Sequence, residues 1–171
     1  MSTITLTDRS AWRSALGPLA LALGVIIVDQ LVKAWIAELI LNPPRRIDLT
    51  GFFSLTPVWN RGVSFGLFAT DAWVGAWILS GIALLVSAGL TVWLLRVTRV
   101  LPRLALGLVI GGAVGNVIDR MTIGAVFDFL DFHVAGWHWP AFNVADAAIC
   151  IGVGLLMLDS LSNGADSPKK A

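Results

Sequence analysis

Two aspartates in the second half of the sequence lie in strongly apolar surroundings. Asp128 belongs to the stretch VFDFLDF, and Asp146 belongs to AFNVADAAI, which opens a long apolar run. Two carboxylates that come together cannot both ionise, so they share a proton. One can then act as general base on a water molecule while the other, protonated, donates to a carbonyl oxygen. The pair therefore predicts the chemistry of an aspartic peptidase.

Asn143 gives the second stretch another interpretation. Pro140 suits the beginning of a helix. If Asn143 caps that helix, Asp146 falls at its third position, where a carboxylate can reach back to the backbone donors of the cap and the helix dipole favours its charge. The capping interpretation and the chemical one are compatible.

Asp29 and Lys33 are the first ionisable residues inside an apolar segment. Such residues are costly to place in a membrane and are candidates for function. The two are four residues apart, so they share one face of a helix and can pair. They form either a self-neutralising ion pair or part of a polar site in the protein interior.

A third polar group follows a stripe of glycines. Gly107, Gly111 and Gly115 recur every four residues, which permits close contact between helices. Asn116 and Arg120 lie four residues apart on the adjacent stripe. Arg120 can extend to lipid headgroups, or it can hold a buried carboxylate or a lipid carbonyl or phosphate.

The composition indicates which elements position these residues. The chain has 171 residues, of which 57% are hydrophobic and 13% charged, and its mean hydropathy is +0.82. Soluble domains carry about a quarter charged residues, so the composition predicts an integral membrane protein. The net charge of +1 implies no nucleic-acid partner. The single cysteine, Cys150, lies in an apolar run and is interpreted as a packing residue.

Four apolar segments approach the length of about 20 residues that crosses a bilayer. They are residues 16–41, 72–95, 104–123 and 141–158. The predicted fold class is therefore an all-α membrane protein with four transmembrane helices. Residues 1–171 would form a single integral membrane domain.

The basic residues predict the orientation of these spans. Seven of the twelve fall on one side: Arg9, Arg13, Arg96, Arg99, Arg103, Lys169 and Lys170. The positive-inside rule makes that side cytoplasmic, with both termini and the loop 96–103.

The opposite side would carry residues 42–71 and 122–139. In the first of these, β-favouring residues recur at short spacing, and residues 60–62, NRG, suggest a turn between SLTPVW and VSF. We expect a small β-sheet that forms a cradle on the outer membrane surface between spans 1 and 2. Between spans 3 and 4 we expect a loop or a short helix.

Other hydrolytic schemes find little support. His133 and His138 flank no plausible Ser–His–Asp set, and the sequence contains no HExxH motif and no cysteine cluster. No metal and no cofactor are expected.

Five motifs occur in a specific order along the chain. They are VDQLVK, NRGVSFG, GGAVGNVIDR, VFDF and FNVADAAI. In this order they resemble the lipoprotein signal peptidase family, also called signal peptidase II, over about residues 16–160. The resemblance implies an aspartic endopeptidase of the bacterial inner membrane. Such an enzyme removes the signal peptide from diacylglyceryl-modified prolipoproteins, just before the lipid-bearing cysteine.

The resemblance also implies site residues and partners. The family's catalytic pair falls on Asp128 and Asp146, and Asp131 is outside that pattern. Supporting positions fall on Asp29, Lys33, Asn60, Asn116, Arg120 and Asn143. The implied partners are the diacylglyceryl-prolipoprotein substrate, membrane lipid and globomycin-type inhibitors, and a monomer would suffice. The active site would lie near the periplasmic face.

Two other functions compete with this interpretation. A small proton-coupled transporter would use Asp29, Lys33, Asp119 and Arg120 as a polar path. The polar residues gather at one depth and no pair of similar halves is visible, which argues against it. In a structural membrane subunit, the Asn143–Asp146 pair would be only a helix cap.

Overall fold

The structure, a computed structural model, describes residues 9–62 and 72–164. Its four helices are α1 (Arg9–Leu41), α2 (Ala72–Arg96), α3 (Val100–Ile123) and α4 (Val144–Gly164). Each is long and apolar enough to cross a membrane, which confirms the predicted fold class.

Local chemistry sets the helix ends. α1 begins earlier than the predicted span at residue 16, because Ala11 and Ala15 already pack into the apolar core. α3 begins before residue 104, since Pro102 falls in its first turn, where the missing N–H costs no helical hydrogen bond. It ends at Ile123, and the left-handed backbone of the following Gly124 (φ 75°) lets its N–H donate to Arg120 O at 3.1 Å.

α3 is the central helix of the bundle. In the most apolar 18-residue stretch of α3, 61% of the residues are buried, against 17–22% in the corresponding stretches of the other three helices. A Cβ at Gly107 would stand 2.5 Å from the carbonyl oxygen of Pro18, and one at Gly111 would stand 2.6 Å from that of Ala22. The predicted role of the glycine stripe in close helix packing is confirmed.

Four antiparallel strands form one sheet in the order β1-β2-β3-β4. They are β1 (Ile47–Thr50), β2 (Phe53–Asn60), β3 (Val126–Val134) and β4 (Trp137–His138). The sheet expected between the first two spans is therefore present, as β1 and β2. The strand expected at residues 63–65 lies outside the described residues.

The prediction of a loop or short helix between spans 3 and 4 was wrong, because this segment forms β3 and β4. Phe127 and Phe129 of β3 are buried against Ile36 and Ile40 of α1 and against Leu55 of β2. Burial of these aromatic side chains against α1 and β2 favours a strand over a solvated loop. The sheet thus joins two segments that are distant in the sequence.

β3 pairs with β2 on one side and contacts the residues just before α4 on the other. In the β2–β3 register, Val58 pairs with Asp128 and Asn60 pairs with Val126. On the other side, Leu130 N donates to Phe142 O at 2.9 Å, just before α4 begins. The middle of β3 therefore lies between the end of β2 and the first turn of α4.

Candidate active site

Asn143 lies between the two aspartates and contacts both. Its side chain is fully buried, with 0% exposure. Its Nδ2 donates to Asp128 Oδ1 at 2.7 Å. Its Oδ1 accepts from Asp146 N at 2.9 Å, and its own backbone N donates to Asp146 Oδ2 at 3.2 Å. The predicted capping pair is confirmed, and the same asparagine also holds Asp128.

Two further amides complete the hydrogen bonds of the carboxylates. Asn116 Nδ2 donates to Asp146 Oδ1 at 2.7 Å, and Asn60 Nδ2 donates to Asp128 Oδ2 at 3.0 Å. Asn143 Nδ2 also lies 3.2 Å from Asn116 Oδ1. Every carboxylate oxygen of the pair therefore accepts a hydrogen bond, so burial leaves none of them unsatisfied.

The side chain of Asp128 has a raised pKa. Its side chain is buried, and burial is the largest cause that raises its pKa, to about 7. The neighbouring charge of Asp146 also raises this pKa, while the hydrogen bonds from Asn60 and Asn143 lower it. Near neutral pH, Asp128 therefore exists in both the protonated and the ionised form.

Lys33 bridges two carboxylates behind the pair. Its Nζ lies 2.7 Å from Asp29 Oδ2 and 2.8 Å from Asp119 Oδ2. Of the two alternatives for Asp29 and Lys33, the ion pair is present, and it extends to Asp119 in the protein interior. Lys33 Nζ also approaches Asn116 Oδ1 at 3.4 Å. Asp29 Oδ1 accepts from Ala145 N at 2.9 Å, so the carboxylate holds the backbone one residue before Asp146.

Asp119 holds the backbone before Asp128 in the way that Asp29 holds the backbone before Asp146. It was not predicted from the sequence as a site residue. Its Oδ2 accepts from Phe127 N at 3.1 Å, one residue before Asp128. Gln30 Nε2 donates to its Oδ1 at 2.8 Å. The available signal was spacing, because Asp119 follows Asn116 by three residues and so shares its helix face.

Arg120 lies beside the two aspartates, and one of its buried donors lacks a partner among the described residues. It interacts electrostatically with Asp146, Asp119 and Asp128. Its Nε is buried and has no hydrogen-bond partner among the described residues. The guanidinium is covered by Gly62, where a Cβ would stand 3.8 Å from Arg120 Nη2. A polar group of a substrate would satisfy this orphan donor.

A cavity of about 430 Å³ opens next to Asp128. It is lined by Val58, Trp59, Asn60, Arg61, Gly62, Asp128, Pro140 and Ala141. Asp146 is half-buried and does not line the cavity. The walls combine apolar side chains with a few polar groups, as in sites that bind an extended chain or a small ligand.

Asp131 belongs to a different cluster on the sheet. The Oδ1 atom of Asp131 lies 2.8 Å from His138 Nδ1, and Ser54 Oγ donates to Asp131 Oδ2 at 3.1 Å. Burial raises the pKa of Asp131, but the hydrogen bonds from His138, Ser54 and Thr56 outweigh it and leave this pKa below its usual value. Among the described residues, no group of three or more acidic, histidine or cysteine side chains could hold a metal ion.

The polar residues of the transporter hypothesis gather at one end of the bundle. Asp29, Lys33 and Asp119 form a paired network at the sheet end of the bundle. Within the described part of the chain, a cluster of apolar side chains lies in the other half of the bundle. They are Ala11, Ala15, Ala22, Leu94, Leu95, Leu106 and Ile110.

Comparisons with known proteins agree with the motifs. A family model described as Signal peptidase (SPase) II matches residues 21–162. The lipoprotein signal peptidase of Methylobacterium radiotolerans is 49% identical over 149 residues, which cover 85% of either chain. That of Methylorubrum extorquens is 45% identical over 162 residues, covering 93% of this chain and 92% of the relative.

A solved structure shares the fold. It is a bacterial membrane enzyme determined by the in meso method at 2.3 Å resolution, with a TM-score of 0.74 and 25% identity. The match covers 91% of this chain and 93% of that one. The family model and the relatives span most of the sequence, so the chain belongs to the signal peptidase II family, multi-pass bacterial membrane proteases that remove the signal peptide from prolipoproteins.

Proposed function

We propose that this protein is an aspartic endopeptidase that cleaves diacylglyceryl-modified prolipoproteins just before the lipidated cysteine. Asp128 and Asp146 would activate the attacking water between them. The observation that carries the proposal is the buried Asn143, which contacts both carboxylates and fixes them relative to each other.

The contacts of the two carboxylates support a separate role for each aspartate. Asp146 accepts hydrogen bonds from Asn116 Nδ2 and Asn143 N, and it stands in the first turn of α4, where the helix dipole favours negative charge. These contacts hold the Asp146 carboxylate in place for the role of general base. Asp128, with a pKa of about 7, retains a proton in a large fraction of molecules at neutral pH and suits the general acid.

The reaction then follows from these two roles. Asp146 removes a proton from water, the water oxygen bonds to the scissile carbonyl carbon, and Asp128 gives its proton to the carbonyl oxygen. The tetrahedral diol breaks its C–N bond as the nitrogen takes the proton held by Asp146 and a diol hydroxyl returns a proton to Asp128. The products are the signal-peptide carboxyl group and the free amino group of the lipidated cysteine.

Other residues support this chemistry without exchanging protons. Asn60 and Asn143 orient Asp128, and Asn116 orients Asp146. The Lys33 bridge to Asp29 and Asp119 braces the backbone next to both aspartates.

Arg120 is the candidate for contact with the substrate. Its buried and unpartnered Nε would donate to a peptide or lipid carbonyl oxygen beside the scissile bond.

The proposed location is the bacterial inner membrane, with both termini in the cytoplasm and the site near the periplasmic face. Arg13 at the start of α1 and Arg96, Arg99 and Arg103 between α2 and α3 lie at the helix ends away from the sheet. The positive-inside rule places that end in the cytoplasm. One chain supplies every proposed site residue, so a monomer suffices. Globomycin-type inhibitors would compete for the same pair.

The function is tested by gel-shift cleavage of a lipidated prolipoprotein. We expect Asp128→Asn and Asp146→Asn each to lower kcat by about 10³-fold, because each removes a proton-transfer group. Unlipidated precursor should remain uncleaved by the native protein.

Asp48→Asn is the matched control. This carboxylate lies on the same sheet, but its side chain is 66% exposed. It should keep native activity. Rapid cleavage by a folded Asp128→Asn or Asp146→Asn variant would refute the proposal.

A further inference from the structure

A second cavity shares two of its wall residues with the first one. Its volume is about 330 Å³. Its walls are Trp59, Arg61, Trp73, Ile123, Gly124 and Ala125. Trp59 and Arg61 line both cavities, so these two side chains form the partition between the Asp128 cavity and its neighbour.

The partition is held by the residues of the proposed reaction site. Asn60 donates to Asp128 with Nδ2 and accepts from Gly62 N with Oδ1 at 2.8 Å, so it fixes the backbone on both sides of Arg61. The Trp59 ring packs on Phe127, the neighbour of Asp128, with ring centroids 4.9 Å apart. The backbone of Arg61 is therefore held in place beside the cavity that Asp128 lines.

The other walls place this cavity at the edge of the lipid. Trp73 lies in the first turn of α2 and Ile123 ends α3, so both mark the point where a span leaves the membrane. They are 47% and 50% exposed. The Trp73 ring packs over Gly124, where a Cβ would lie 3.5 Å from it. Indole rings favour headgroup depth, where one side is apolar and the other wet.

The chemistry of these walls matches an ester in a lipid. A guanidinium offers several N–H donors and no acceptor, so it recognises oxygen acceptors such as an ester carbonyl. The tryptophans and Ile123 provide apolar surface for the glyceryl carbons and the first methylenes of the chains. A peptide that reaches Asp128 through the first cavity would place a lipid on its cysteine next to this partition.

We propose that the second cavity binds the glyceryl diester of the substrate and that Arg61 donates to one of its ester carbonyl oxygens. This inference rests on the proposed function, because that function supplies the lipidated substrate. Arg61 is thus a specificity residue for the lipid, distinct from Arg120 beside the carboxylates. An ester of a bilayer phospholipid has the same chemistry and is the competing occupant.

The test compares a prolipoprotein that carries a diacylglyceryl group with one that carries the corresponding dialkyl ether. In the native protein, loss of the carbonyl acceptors should raise KM about tenfold, the effect of one charge-assisted hydrogen bond, with kcat little changed. Arg61→Met should raise KM about tenfold for the diester and leave KM for the diether unchanged. Arg61→Lys, which keeps a donor, should restore part of the preference for the diester.

Arg46→Met is the matched control, since this arginine lies on the sheet and pairs with Asp48 outside both cavities. It should keep the native preference for the diester. A second arm keeps the diester substrate and replaces diester phospholipid by diether phospholipid in the bilayer. The native KM should not change.

Two outcomes would overturn the inference. Arg61→Met could raise KM equally for both substrates, or the native KM could follow the bilayer lipid, which would assign the cavity to a phospholipid. Either outcome leaves cleavage at Asp128 and Asp146 intact. Failure of the native protein to cleave any lipidated precursor would instead overturn the proposed function, and this inference with it.

Discussion

At the scale of single residues, the site depends on amide side chains whose orientation is fixed. Lys33 can only donate, so Asn116 turns its Oδ1 toward Lys33 and its Nδ2 toward Asp146. Asn143 then directs its Nδ2 to Asp128 and its Oδ1 to the backbone of Asp146. One lysine thereby determines how two amides present their donors to the carboxylates.

The pKa of Asp128 gives a pH dependence of stability. It rises from the ordinary value of 3.8 to about 7 in the folded protein, mainly through burial. Between these values the folded state binds more protons than the unfolded state, so this group lowers stability as pH rises, and the loss is complete above about pH 7. Asn cannot ionise and lacks this dependence.

We therefore expect the difference in Tm between Asp128→Asn and the native protein to shift in favour of the variant by about 5–10 °C from about pH 5 to about pH 8. A constant offset is also expected, because the new amide meets the donors of Asn60 and Asn143. Thermal unfolding in detergent measures both. A difference in Tm that does not vary with pH would show that the pKa of Asp128 is ordinary.

At the scale of elements, α3 determines how the site is assembled. It carries Asn116, Asp119 and Arg120 on its sheet end, and its small residues let α1 and α4 approach closely. A Cβ at Gly112 would overlap the carbonyl oxygen of Ala145, one residue before Asp146. The spacing of α3 and α4 thus sets the distance from Asn116 to Asp146.

Gly112→Ala should lower stability by about 1–3 kcal/mol, because the overlapping atom belongs to the backbone and cannot turn away. It should also lower kcat more than it raises KM, since Asp146 moves with α4. Gly89→Ala in α2 is the control, because nothing lies within 4 Å of its added Cβ. Tm and steady-state kinetics on both variants measure the effects, and equal behaviour of the two would contradict the role of α3.

At the scale of the whole molecule, the site exists only where distant segments meet. Asn60 comes from β2, Asp128 from β3 and Asp146 from α4, and the braces behind them come from α1 and α3. Each contributing strand lies in a different connection between helices. Cutting the chain into parts would therefore remove the site.

This assembly also explains what could be predicted from the sequence. The four helices follow from composition and length, and the cap at Asn143 follows from local spacing. Strand β3 was missed because it pairs with a strand more than 60 residues away and is buried on both faces, which hides the alternation of a half-exposed strand. Asp119 was missed as a site residue because its partners Lys33 and Phe127 are brought to it only by the fold.

We propose that Asp128 and Asp146 act as one catalytic unit. The direct measurement is kcat on lipidated prolipoprotein for Asp128→Asn, Asp146→Asn and the double variant, with folding checked by thermal unfolding. Residues that act as a unit are strongly non-additive, so the double variant should be no slower than the slower single variant, at about 10³-fold below native. Losses that multiply in the double variant, or a folded single variant with native kcat, would contradict the account.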